Sequence, residues 1–107
     1  MDFNNYSKFF KNKKILITGN TGFVGSYLSL TLNLMNAKVL GYSLKKKNTD
    51  YISNTKDYKK KIKTIYDDIK NIENHDKKIK MFKPEMIIHL ASQPLVSESY
   101  LNTKKNL

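Results

Sequence analysis

Blocks of apolar and polar residues alternate along the chain and predict strands and helices in turn. Lys14–Thr18 is an apolar run bounded by a glycine, as expected of a buried strand. Residues 23–35 place apolar side chains around much of a helical surface, and Asn36 follows where a helix commonly ends. The first part of the chain therefore predicts a strand, a glycine loop and a helix lying on a sheet.

The same pattern then predicts three more strands. Residues 38–44 form the second, and residues 45–55 are polar and predict a loop, with a short helical turn around 57–61. Residues 61–66 alternate as a strand near a sheet edge would. Residues 70–83 are amphipathic, with Ile72, Ile79 and Phe82 facing inward, and Pro84 ends that helix. Residues 86–91 are continuously apolar, which is typical of a central parallel strand, and another helix is expected to start at Glu98.

This order of elements predicts an α/β fold. Strands that alternate with crossovers form a parallel sheet with right-handed connections. We therefore expect a Rossmann-like, doubly wound parallel sheet, in its amino-terminal half only, with about four strands and flanking helices. Residues 1–13 are expected to be a loosely ordered N-terminal segment in which Phe9 and Phe10 pack on the domain, and residues 14–107 a partial domain of this Rossmann-like fold.

The composition limits the classes of function. The net charge is +11, yet all 20 basic residues are lysine, and arginine is the side chain that reads guanine edges and grips phosphates with two bonds. The lysines are spread over several segments, which favours a solvated surface over a nucleic-acid patch. Without cysteine there is no disulfide or thiolate metal site. With no signal peptide and no apolar run of about 20 residues, we expect a cytoplasmic protein without a membrane partner.

Three glycines follow the first strand at spacing three and three: Gly19, Gly22 and Gly25. In a dinucleotide-binding unit one glycine permits the tight turn, one admits a pyrophosphate and one lets the helix pack on the sheet. The N–H groups that open the helix favour an anion. The alternative is a tight turn without a ligand.

Two other strand ends carry candidate chemistry. No acid follows the second strand to accept a ribose 2′-hydroxyl, and Lys45–Lys47 could tolerate a 2′-phosphate or be plain surface lysines, so NAD and NADP both stay open. Asp68 could accept the adenine amino group beside the Ile69 backbone, or it could cap a turn. His89 is expected to be a strand residue with a satisfied ring, and with two histidines in the chain no metal site is expected.

Three segments resemble a known family. The loop 18–25, TGNTGFVG, resembles the TGxxGFxG loop of extended short-chain dehydrogenase/reductases, residues 67–71 resemble their acidic segment, and residues 89–93, HLASQ, resemble their H-x-A-(A/S)-Q segment. Residues 23–29, Gly41-Tyr42, residues 93–96 and Ser99-Tyr100 are similar to nucleotide-sugar 4,6-dehydratases, most of all those acting on CDP-glucose.

The resemblance implies an NAD cofactor, a nucleotide-sugar substrate and a homo-oligomer. Carried over by position, the cofactor-binding residues are Gly19, Asn20, Thr21, Gly22, Phe23, Val24, Gly25, Asp68, Ile69, Leu90, Ala91 and Gln93. The glycines would hold the pyrophosphate, Asp68 and Ile69 would meet adenine, and Leu90, Ala91 and Gln93 would line the ribose and nicotinamide side.

The family's catalytic Tyr-x-x-x-Lys pair is expected beyond residue 107. Tyr58 does not supply it, because it lies upstream, between the second and third strands, although lysines follow it. No catalytic residue is therefore assigned, and we expect a truncated chain without dehydratase turnover. Lys45 and Thr103 also depart from the family pattern, at positions that often hold an acid and a proline. An epimerase or reductase of the same family, and a non-catalytic nucleotide-binding module, are the alternatives.

Overall fold

The computed structural model describes residues 3–47 and 50–91, and of Phe3 the backbone alone. Its helices are α1 (Phe3–Phe10), α2 (Phe23–Leu34), α3 (Lys56–Lys61) and α4 (Asp76–Phe82), and its strands are β1 (Lys14–Thr18), β2 (Lys38–Ser43), β3 (Lys63–Tyr66) and β4 (Met86–His89). Two 3₁₀ helices, Ile52–Asn54 and Ile69–His75, precede α3 and α4. The four strands pair in parallel in the order β3-β2-β1-β4. The predicted Rossmann-like parallel sheet is confirmed.

The core forms around β1, which lies between β2 and β4. Ile15 and Ile17 are fully buried and cluster with Leu32 of α2 and with Ala37. Phe10 packs against this cluster from α1. Because β1 has a neighbour on each side, its carboxyl end is the centre of the sheet edge at which loops converge.

The helices differ from prediction in two places. The N-terminal residues were expected to be loose, whereas the chain forms α1, and Phe9 of that helix is more than half exposed while Phe10 is packed. The helix expected over 70–83 is split, because residues 69–75 form a 3₁₀ helix before α4 begins. There the Asp68 carboxylate accepts a hydrogen bond from the Lys70 N–H, and the Asp67 carboxylate accepts one from Asn71 Nδ2. Such local side-chain hydrogen bonds compete with α-helical bonding.

β1 has the predicted bounds, whereas β2, β3 and β4 are each one or two residues shorter than predicted. The last of these was predicted to be a central strand, but β4 lies at an edge of the sheet formed by the described residues. Its side chains alternate between half-buried and exposed, and Ile87 is 63% exposed. The helix expected from Glu98 lies outside the described residues.

Among residues 3–47 and 50–91, every helix is too short or too polar to cross a bilayer.

Candidate functional site

The carboxyl ends of the strands enclose a cavity. It is lined by residues from β1 and its glycine loop, from β2 and its following loop, from the segment after β3 and from the end of β4: Gly19, Gly22, Tyr42, Ser43, Leu44, Lys46, Asp67, Asp68, Ile69, Leu90 and Ala91. Its empty volume, including space open to solvent, is about 610 Å³. In open α/β sheets ligands bind at this edge.

The glycine loop is shaped by close backbone approaches. Gly19 has φ +77°, and a Cβ atom there would lie 2.7 Å from the Ala91 nitrogen, so a side chain is excluded twice over. The Gly19 N–H donates to the Tyr42 carbonyl at 2.8 Å, which ties the loop to β2. Gly22 is the N-cap of α2 and has no side chain to accept from the first-turn N–H groups. Those groups therefore keep their capacity to bind an anion.

Five predicted site residues do not line the cavity. Asn20 and Thr21 are buried with their side chains turned into the protein, and Gly25 packs α2 on the loop. Phe23 and Val24 begin α2 with 60% and 72% of their surface exposed. Phe23 stacks on the Tyr51 ring, with centroids 4.6 Å apart. Within the loop, only Gly19 and Gly22 face the cavity directly.

Asp68 and Ile69 form the wall that follows β3. The Asp68 carboxylate accepts a hydrogen bond from the Lys70 N–H at 2.9 Å, so it caps the 3₁₀ helix. The Asp68 carbonyl accepts a hydrogen bond of 2.7 Å from the hydroxyl of buried Tyr42. The capping alternative is thus observed, and the same residue also lines the cavity.

Asp67 fixes the conformation of this wall through its carboxylate. Its carboxylate accepts hydrogen bonds from Asn71 Nδ2, His75 Nε2 and the Asp68 N–H at 2.9, 2.8 and 2.7 Å. These bonds, first of all that from Asn71, lower the pKa of Asp67 to about 2. The His75 ring also lies edge-on to Tyr42, with centroids 5.5 Å apart. An ionised Asp67 therefore holds the turn that presents Asp68 and Ile69.

Leu90 and Ala91 form the opposite wall. The Leu90 N–H donates to the Thr18 carbonyl at 2.9 Å, which holds this segment against the end of β1. The Thr18 hydroxyl lies 2.6 Å from His89 Nδ1, so the histidine ring has a partner, as expected. Gln93, the remaining predicted site residue, lies outside the described residues.

The sequence assigned no site role to four other cavity residues: Tyr42, Ser43, Leu44 and Asp67. They occupy the ends of β2 and β3. The signal that could have found them is their position, because the carboxyl ends of parallel neighbours share one edge. Lys46 belongs to the lysine run after β2, so this part of the run does face the cavity.

Tyrosine and lysine do stand four residues apart at Tyr42–Lys46 and Tyr66–Lys70. Neither pair lies on one helix, where such spacing would bring the side chains together. The Tyr42 hydroxyl donates to a carbonyl, and burial, followed by the charges of Asp67 and Asp68, raises its pKa. A raised pKa opposes use as a base. The spacing recurs at Tyr100–Lys104, outside the described residues.

In the described part of the chain no group of three histidine, aspartate or glutamate side chains is arranged to hold a metal ion.

The sequence matches one family model over most of its length. The model is described as GDP-mannose 4,6 dehydratase and covers residues 16–106. A CDP-glucose 4,6-dehydratase of Salmonella typhimurium is 38% identical over 92 residues, which are 86% of this chain and 26% of that protein. The chain thus spans about a quarter of the length of this curated relative.

Solved structures with the same fold include two with appreciable sequence identity. An epimerase from Methanothermobacter thermautotrophicus superposes with a TM-score of 0.69 at 27% identity, over 98% of this chain and 30% of that one. A short chain dehydrogenase from Leptospira borgpetersenii, solved with bound NAD+, superposes with a TM-score of 0.64 at 28% identity, over 87% of this chain and 36% of that one.

Proposed function

Because this chain belongs to the GDP-mannose 4,6 dehydratase family, we propose that it is the NAD-binding, amino-terminal part of a CDP-glucose 4,6-dehydratase. The named relative supports the choice of substrate, since it is a CDP-glucose 4,6-dehydratase. The Leptospira dehydrogenase, which holds NAD+, supports the choice of cofactor.

One observation supports the proposal most directly. The glycine loop lines the same cavity as the wall after β3 and the wall after β4. Gly19 and Gly22 line the cavity and carry no side chains, so ligand atoms can approach the loop backbone closely there. We assign the pyrophosphate to Gly19 and Gly22, adenine to Asp68 and Ile69, and the ribose and nicotinamide side to Leu90 and Ala91, with Gln93 beyond. Bound NAD would supply the hydride acceptor. The chain's own residues bind it, orient it and shield one side of it from water.

Calorimetric titration of the 107-residue chain with NAD, ADP and NADP tests the cofactor proposal. We expect saturable 1:1 binding of NAD and ADP. A Gly19→Val chain is the matched control, because its side chain would collide with Leu90 and Ala91. Absence of binding to the unsubstituted, folded chain would overturn the proposal.

Binding of DNA with a steep salt dependence would instead favour the basic nucleic-acid alternative. We expect no such dependence with duplex DNA, because the lysines are distributed over the surface.

We propose further that this chain does not turn over CDP-glucose by itself. Within residues 3–47 and 50–91, no tyrosine has a lysine four residues after it on the same helix. Incubation of the chain with NAD and CDP-glucose, followed by mass spectrometry for loss of water, should give no product. Nucleotide binding alone would also be compatible with a non-catalytic module, and turnover of another nucleotide sugar would indicate a different activity of the family.

We propose the cytoplasm as the location of this protein.

A further inference from the structure

The connection between β2 and β3 holds the carbonyl groups of the glycine loop. The Tyr58 hydroxyl, in α3, donates to the Asn20 carbonyl at 2.8 Å. The Ser53 hydroxyl, in the preceding 3₁₀ helix, donates to the Thr21 carbonyl, also at 2.8 Å. All four residues are buried. Two consecutive loop carbonyls are therefore each fixed by a side chain from residues 53–58.

The Asn20 side chain reinforces the first of these contacts. Its Nδ2 donates to the Tyr58 hydroxyl and to Thr64 Oγ1, both at 2.9 Å. The Tyr58 hydroxyl thus accepts from the side chain of Asn20 while it donates to its main chain. A Cβ atom at Gly41 would lie 2.1 Å from Asn20 Nδ2, so β2 leaves room for this side chain only because it has a glycine there.

Thr21 is fixed in the same way on its other side. Its hydroxyl donates to the Leu44 carbonyl at 2.7 Å and lies 2.6 Å from the Ser43 hydroxyl. The side chains of Asn20 and Thr21, the two residues between Gly19 and Gly22, therefore both form hydrogen bonds inside the protein. The loop backbone, and not its side chains, forms the surface that faces the cavity.

We propose that Tyr58 and Ser53 are positioning residues for the pyrophosphate of the bound nucleotide. They set the orientation of the peptide groups between Gly19 and Gly22 before a ligand arrives, which lowers the cost of binding. This inference rests on the proposed nucleotide-binding function. It gives Tyr58, which sequence reasoning considered and rejected as a catalytic tyrosine, a role that its burial permits.

The Tyr58→Phe change keeps the ring and removes the hydroxyl. The buried Asn20 carbonyl then loses its donor and Asn20 Nδ2 loses one of two acceptors, so the loop can relax. Because these two hydrogen bonds hold the loop, we expect ADP and NAD to bind roughly 3- to 10-fold more weakly. Adenosine has no phosphate and should bind with unchanged affinity.

The experiment measures ADP, NAD and adenosine affinities by NMR titration of the full 107-residue chain. Variants are Tyr58→Phe and Ser53→Ala, with Tyr27→Phe, an exposed tyrosine of α2, as the matched control. Support is a fall in the ratio of ADP to adenosine affinity in the two loop variants and none in the control. An unchanged ratio, including an equal loss for both ligands, would overturn the inference while leaving the proposed function standing.

Two further readouts keep the outcomes distinct. In the ligand-free chain the amide resonances of Gly19 and Gly22 should shift in Tyr58→Phe, and unmoved resonances would count against the inference. If Tyr58→Phe fails to fold, Ser53→Ala carries the affinity test alone. If the unsubstituted chain binds neither ADP nor NAD, the proposed function falls and this inference with it.

Discussion

Gly25 lies so close to Gly19 that a Cβ atom on Gly25 would be 2.1 Å from the Gly19 carbonyl oxygen. The obstacle is backbone and cannot rotate away. We expect Gly25→Ala to push α2 from the loop and to lower the free energy of unfolding by about 1–3 kcal/mol, as overpacked sites do. Urea denaturation followed by circular dichroism measures this, and a stability equal to that of the unsubstituted chain would contradict the packing described.

Gly22→Ala offers a contrast within the same loop. A Cβ atom there would lie 3.7 Å from its nearest neighbour, the Gly19 oxygen, which is an ordinary contact. We expect unfolding stability to stay within about 0.5 kcal/mol, as for a change that disturbs no packing. Because Gly22 faces the cavity, ADP affinity should nevertheless fall. Loss of stability without loss of affinity would reverse the roles assigned to these two glycines.

Tyr42→Phe tests the wall that carries Asp68. The buried hydroxyl donates to the Asp68 carbonyl, and its removal should cost about 1 kcal/mol of unfolding free energy. ADP and adenosine should weaken together, since this wall is assigned to adenine, whereas Tyr58→Phe should spare adenosine. Tyr66→Phe, on a partly exposed tyrosine, is the control. If Tyr42→Phe weakened ADP but not adenosine, the assignment of adenine to the Asp68 wall would be wrong.

The lowered pKa of Asp67 makes the stability of the folded chain depend on pH in the acid range. Its pKa is lowered to about 2 in the folded chain from an ordinary value of 3.8, so its ionised form stabilises the fold above about pH 4. That contribution is lost as the pH falls toward 2. We expect the stability of Asp67→Asn to decline less between those pH values than that of the unsubstituted chain. Asp57→Asn, whose carboxylate is 73% exposed, is the control, and parallel pH profiles for all three chains would rule out this role.

The position of Lys46 leads us to expect that it affects the choice between NAD and NADP. It lines the cavity after β2, where a 2′-phosphate would add negative charge and where no acid follows the strand. We expect Lys46→Ala to weaken NADP about twofold to fivefold, as for a partly exposed ion pair, and to leave NAD unchanged. Lys77→Ala on α4 is the control. Equal effects on NAD and NADP would show that Lys46 does not sense the 2′-phosphate.

The fold followed from the sequence because its signals are local. Apolar runs over Lys14–Thr18 and residues 86–91, separated by helical periodicity, are sufficient to predict parallel strands with crossovers. Gly19, with no room for a side chain, and Gly22, facing the cavity, lie where the glycine spacing predicts. The positions of the strands and of the glycine loop are encoded by residues close in sequence, which explains why the pattern alone predicts them.

The interior of the site depends on contacts that no local pattern encodes. Asn20 belongs to the glycine loop in sequence, yet its side chain meets Tyr58 and Thr64, which are 38 and 44 residues away. The 3₁₀ helix that precedes α4 depends likewise on which carboxylate accepts from which N–H group. The residue types predict that polar groups lie at this end of the sheet. They do not predict which of these groups form hydrogen bonds with each other.

Thr18 and His89 are in hydrogen-bond contact although they lie 71 positions apart in the sequence. This separation affects the rate at which the chain folds. Parallel neighbours cannot be joined by a hairpin, so the chain must close long loops before β4 can dock, and such distant pairings form slowly. The cavity is complete only once Leu90 and Ala91 have reached Thr18. A ligand that binds this completed cavity withdraws molecules from the unfolded pool. ADP in the refolding buffer should therefore raise the yield of native chain, so that the nucleotide serves as a folding ligand as well as a cofactor component.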